Sequence, residues 1–120
     1  MATDYEAIRT LKQRKKTVTG TYTARTGRPT DSFVLDHPID IADPAADFTL
    51  TIPDGVAMGQ ELLIVMSSND DSKTATISFT HHESADAGTT SLDAADEAIK
   101  VIWTGTEWDT ILYSCAADVS

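Results

Sequence analysis

A chain of 120 residues is the size of one domain, able to bury roughly two thirds of its unfolded surface without staples. The single Cys115 forms no intramolecular disulfide, and no apolar run approaches the roughly 20 residues of a membrane helix. The net charge of −10 is unevenly divided: seven of the nine basic residues precede residue 29, so residues 1–28 carry +5 and the remainder −15. An acidic body of this kind repels nucleic acid and anionic membranes, while a basic arm seeks an acidic surface. Asp4, Glu6, Arg9 and Lys12 stand where a signal peptide would be apolar, so a soluble, unprocessed protein is expected.

Residues 3–16 read as a short helix, with Thr3 and Glu6 as a capping box, Tyr5, Ile8 and Leu11 at helical spacing, and Arg14, Lys15 and Lys16 at the cation-favouring end. From Thr17 to Ala24 threonines alternate with Val18, Gly20 and Tyr22, the pattern of a polar strand. Gly27, Arg28 and Pro29 form a linker, making 1–28 an arm and 29–120 a β domain. Phe33, Leu35, Ile39 and Ile41 share one parity broken at His37-Pro38, which predicts two short strands or one broken edge strand. Asp43 to Asp47 is a connection.

Phe48, Leu50 and Ile52 alternate with Thr49 and Thr51, a strand with one wet face. Pro53-Asp54-Gly55 turns the chain, and Leu62 to Met66 returns as a run apolar on both faces, which predicts a central hairpin. Ser67 to Ser72 is a turn, Ala75, Ile77 and Phe79 mark another strand, and 80–90 is the longest loop. Leu92 begins a short strand, and Asp93 to Ala98 is a connector with room for one helical turn. Ile99, Val101 and Trp103 lead through Thr104-Gly105-Thr106-Glu107 into Trp108, Ile111, Leu112 and Tyr113, a closing hairpin. No internal repeat is clear. The fold class expected is all-β, an antiparallel β-sandwich or partly closed barrel of jelly-roll or tulip-like form, with an N-terminal arm.

Two segments together, Leu50-Thr51-Ile52-Pro53-Asp54-Gly55 with Gly59-Gln60-Glu61-Leu62, and Ile99 through Trp108, resemble a pattern found in small β-rich virion proteins of tailed bacteriophages. These include capsid decoration (cement) proteins and domains of head and tail fibres. The resemblance spans roughly residues 31–113. It implies a structural protein on the outer capsid surface of a virion, commonly a homotrimer, with the major capsid protein as partner.

The residues themselves offer little chemistry. Adjacent His81 and His82, near Glu83 and Asp86, point to opposite faces of an extended chain, which suits a solvated loop better than a metal site. Asp70-Asp71 and Asp93, Asp96 and Glu97 match no calcium-loop spacing, and there is no nucleophile elbow or phosphate loop. No enzyme, cofactor or metal is expected. Trp103 shares the parity of Ile99 and Val101 and belongs to a core; Trp108 is either core or, if exposed, a glycan contact in a fibre's receptor-binding module. Leu62, Ile64, Met66, Trp103, Trp108, Ile111 and Tyr113 are the candidates for core or oligomer interface, since more apolar strand faces than one core can cover favour association. Arg9, Lys12, Arg14, Lys15, Lys16, Val18, Tyr22, Arg25 and Arg28 are the candidates for docking, the 17–24 strand adding to a sheet edge of a capsid subunit or neighbouring chain. A cellular β-sandwich interaction module is a third reading.

Overall fold

Alternation along each strand decides what the computed structural model buries. It describes residues 12–26, 34–82 and 89–114, in nine strands: β1 Lys12–Val18, β2 Tyr22–Thr23, β3 Val34–Ala42, β4 Phe48–Ile52, β5 Glu61–Ser68, β6 Ala75–Phe79, β7 Thr89–Leu92, β8 Glu97–Trp103 and β9 Trp108–Ser114. Phe48, Leu50 and Ile52, then Leu62, Ile64 and Met66, then Ala75, Ile77 and Phe79, then Ile99, Val101 and Trp103 all turn inward, while the residues between them face out. Together with Val18, Ala24, Leu35, Ile39, Ile41, Leu92 and Trp108 they form one apolar cluster between two sheets.

The strands are dealt to the sheets in turn. A five-stranded sheet runs β1-β3-β5-β8-β9 and a four-stranded sheet runs β2-β4-β6-β7. Through β6 the chain alternates between them, so each strand of one sheet is the crossover between two parallel strands of the other. The ladders β1·β3, β3·β5, β2·β4 and β4·β6 are therefore parallel. The last three strands fold back, making β5·β8, β6·β7 and β8·β9 antiparallel. Both sheets are mixed, and neither closes into a barrel.

Several expectations change. Residues 12–16 are strand and not helix, because β1 lies along β3 and places Val18 in the core; the rest of the predicted helix, and Arg9, lie outside the described residues. The arm's described part belongs to the body, with β1 and β2 forming one edge of each sheet. Residues 48–66 are not a hairpin: the Pro53-Asp54-Gly55 break carries the chain from one sheet to the other. Residues 34–42 form one strand between β1 and β5, with His37 and Pro38 accommodated where the β1 register shifts; a bulge is where a strand tolerates a residue without an N–H. Asp93 to Asp96 is a tight turn, and Glu97 and Ala98 already belong to β8.

Candidate interaction surfaces

At the β1–β2 edge the arm is fastened by a buried carboxylate. Asp36, 1% exposed, accepts the Tyr22 hydroxyl at 2.6 Å and the Arg25 backbone N–H at 2.9 Å on Oδ2. The Arg25 guanidinium stands 3.5 Å from Oδ1, an ion pair without a hydrogen bond. Burial first, then the bond to Asp36 and its charge, push the Tyr22 phenol above its usual range. The Lys16 ammonium lies 4.6 Å from the centre of the Tyr22 ring, a cation–π contact. Val18 and Tyr22, expected to dock on a partner, thus serve this chain's own packing. Arg14, Lys15 and Arg25 remain exposed, with Lys15 3.6 Å from Asp40. The bend joining β1 to β2 borders an open depression of about 280 Å³ lined by Lys16 to Tyr22. Lys12 begins β1, and Arg28 lies outside the described residues.

The outer faces of the two sheets differ in kind. On the four-stranded sheet the register aligns Thr49, Thr76 and Ser91 in one row and Thr23, Thr51 and Ser78 in the next, all exposed or half-buried. On the five-stranded sheet the outward residues include Leu63, Val65, Ala98 and Ile102, all half-buried, and Leu112, 52% exposed. A Lys100–Glu61 pair at 3.1 Å sits among them. Next to Leu112 on β9, Ile111 and Tyr113 are also exposed, and the Tyr113 hydroxyl donates to the Ser91 carbonyl at 3.1 Å across to β7. Of the residues expected at an interface or core, Leu62, Ile64, Met66, Trp103 and Trp108 are core, while Ile111 and Tyr113 are surface.

The end of the fold beyond β4 is held by polar groups aimed inward. Buried Gln60 accepts from the N–H groups of Val56 (2.8 Å) and Ala57 (3.3 Å), and its amide donates to the Thr26 carbonyl at 2.8 Å. The Thr26 hydroxyl donates to the Asp54 carbonyl at 2.8 Å. The Trp108 indole N–H donates to the Pro53 carbonyl at 2.8 Å, and its ring meets Trp103 edge-on at 5.3 Å. Gly55 lies against Trp103 so closely that a Cβ there would stand 2.5 Å from its Cγ. Trp108 is fully enclosed, which removes it as a glycan contact. His81 pairs with Asp54 at 2.8 Å; His82 bonds Thr110 at 2.9 Å and stacks on Phe79. The two histidines diverge, and Glu83 and Asp86 lie outside the described residues. Among the described residues no three His, Cys, Asp or Glu side chains gather as metal ligands.

Acidic residues at the corners are spent on backbone. Asp43 accepts from the Asp70 N–H and Asp47 from the Thr74 N–H, both at 2.9 Å. Buried Glu97 accepts from the N–H groups of Asp93 and Ala94. Between β5 and β3, the Leu63 N–H donates to His37 Nδ1 at 3.0 Å, which fixes His37 as a neutral ring protonated on Nε2. Burial lowers the His37 pKa, with smaller contributions from Glu61, which raises it, and Lys100, which lowers it.

These features define an all-β protein of two mixed sheets whose distinguishing chemistry lies on strand edges and sheet faces. Neither a family model nor a curated protein matches the chain. The Asp36 and Gln60 clusters escaped sequence reasoning because their members are far apart in the chain; the apparent conflict of a carboxylate inside an apolar run at Leu35-Asp36 was the available signal.

Proposed function

We propose that this chain is a virion structural protein, a decoration protein that binds the outside of a tailed-phage capsid and stabilises the shell by bridging capsid subunits. It acts as a homotrimer, its partner is the major capsid protein, and its work is mechanical and not catalytic. The observation that carries this reading is the charge division: residues 1–28 carry +5 against −15 in the rest of the chain, and the described part of that segment forms the β1–β2 edge, where Arg25 is exposed. Such an edge suits an acidic shell surface, and attachment through three copies multiplies a weak individual contact by raising the effective concentration of the others.

Co-sedimentation of the full-length protein with shells of the cognate capsid protein tests it. Binding is expected to weaken as salt rises, and the paired substitution Arg9→Glu and Lys12→Glu is expected to weaken it at least tenfold at low salt. Shells that do not retain the wild-type protein, or retain the variant equally well, refute the proposal.

A further inference from the structure

We infer that the outer face of the five-stranded sheet, with the exposed end of β9, is the surface through which copies of this chain associate. They form a closed ring whose axis runs along the strands, with β9 of one copy beside β1 of the next. This rests on the oligomeric part of the reading above and names its surface.

The first argument is the contrast between faces. Thr and Val are both strong strand formers, so strand propensity does not choose between them. The four-stranded sheet presents Thr and Ser outward; the five-stranded sheet presents Leu63, Val65, Ala98, Ile102 and Leu112. A sheet face that meets water takes the first pattern, and one that is covered takes the second.

The second argument is electrostatic and selects the occupant. On this face Lys100 pairs with Glu61 and Lys15 with Asp40, so a chain of net charge −10 offers its own copy a nearly neutral surface. Asp40 and Asp109 are both directed to this side. Exposed Arg14 is a donor on the β1 edge of the sheet, and Asp109 lies on the β9 edge. The two edges are complementary in charge, and the next copy brings one to the other.

Chain direction agrees. β1, β3 and β5 run parallel and two antiparallel ladders return β9 to the same direction. Rotation about an axis along the strands preserves that direction, so β9 meets the next β1 in parallel, as β3 does within the chain. A two-fold pairing of β9 with β9 would leave the cationic edge unused. Arg14 thereby serves the neighbouring copy, which leaves Arg25, with Arg9, Lys12 and Arg28, for the shell.

Sedimentation equilibrium of the full-length protein tests this with Val65→Lys on the apolar face and Thr76→Lys on the hydroxyl face. The wild type and Thr76→Lys are expected at the same multiple of 12.9 kDa, and Val65→Lys at the monomer mass with the fluorescence of buried Trp103 and Trp108 unchanged. If Val65→Lys loses that fluorescence, Val65→Thr takes its place, with at least tenfold weaker association expected. A Val65 variant of wild-type mass, or a Thr76→Lys monomer, overturns the surface while leaving shell binding to stand on its own assay. A monomeric wild type overturns the surface and the trimer together, and the shell assay then decides separately whether a single copy binds.

Discussion

Replacing Gln60 by leucine tests whether the end of the fold beyond β4 is held by one side chain. Gln60 is fully buried and makes three side-chain hydrogen bonds, to Val56, Ala57 and Thr26. Val56 is exposed, so water can replace its bond; Ala57 and Thr26 are buried, and their freed N–H and carbonyl would have no substitute. Each such orphan costs about 1–3 kcal/mol, and the added apolar burial of leucine returns roughly 1 kcal/mol. The net loss is about 1–5 kcal/mol, or roughly 4–20 °C in Tm for a domain of this size. The consequence should extend into the five-stranded sheet, because the Gln60 carbonyl also accepts the Trp103 N–H of β8 at 2.8 Å. Thermal and urea unfolding followed by tryptophan fluorescence would measure it. A Gln60→Leu protein within about 0.5 kcal/mol of wild type, the range of neutral surface changes, would refute the argument.

Two further outcomes follow from the same structure. Gly55→Ala forces a Cβ into the Trp103 ring and should cost about 1–3 kcal/mol, as overpacking does; Gly20→Ala, whose Cβ meets nothing within 4 Å, is the control, and equal urea midpoints would show that the ring simply shifts. His37 gives a pH dependence of definite sign. Its folded pKa lies below the unfolded value of about 6.5, so between the two the unfolded chain binds the extra proton. Stability is full above about pH 6.5 and declines as pH falls toward the folded value, where the imidazole can no longer accept the Leu63 N–H. His37→Gln keeps an acceptor that does not titrate, so the difference in unfolding free energy between wild type and variant should shrink or reverse on acidification. Parallel curves from pH 7.5 to 5.5 would refute it.

Period-two alternation makes most strands legible in the sequence. Phe48 to Ile52, Ala75 to Phe79 and Ile99 to Trp103 bury the residues that their pattern marks, and the Trp103/Trp108 hairpin closes as expected. The core candidates Leu62, Ile64 and Met66 follow from the same local rule, since a strand's inward side repeats every second residue whatever sheet it joins. Pairing is not local. Nothing in Phe48 to Met66 reveals that β4 and β5 belong to different sheets, because Pro53-Asp54-Gly55 serves a crossing as well as a hairpin turn. The alternating course leaves no clear repeat either, since its rungs pair Lys12 with Val34, Ile39 with Ile64 and Tyr22 with Leu50 at unequal intervals. Lys12 to Lys16 read as the end of a helix by charge and spacing; the ladder with β3 and the burial of Val18 outweigh that weak preference. The sequence by itself determined which residues are apolar, how they alternate and where charge accumulates. Only the tertiary structure decided which strands are neighbours, which apolar face is left outward, and which carboxylates are shielded, because those depend on contacts between segments whose separation along the chain carries no signal.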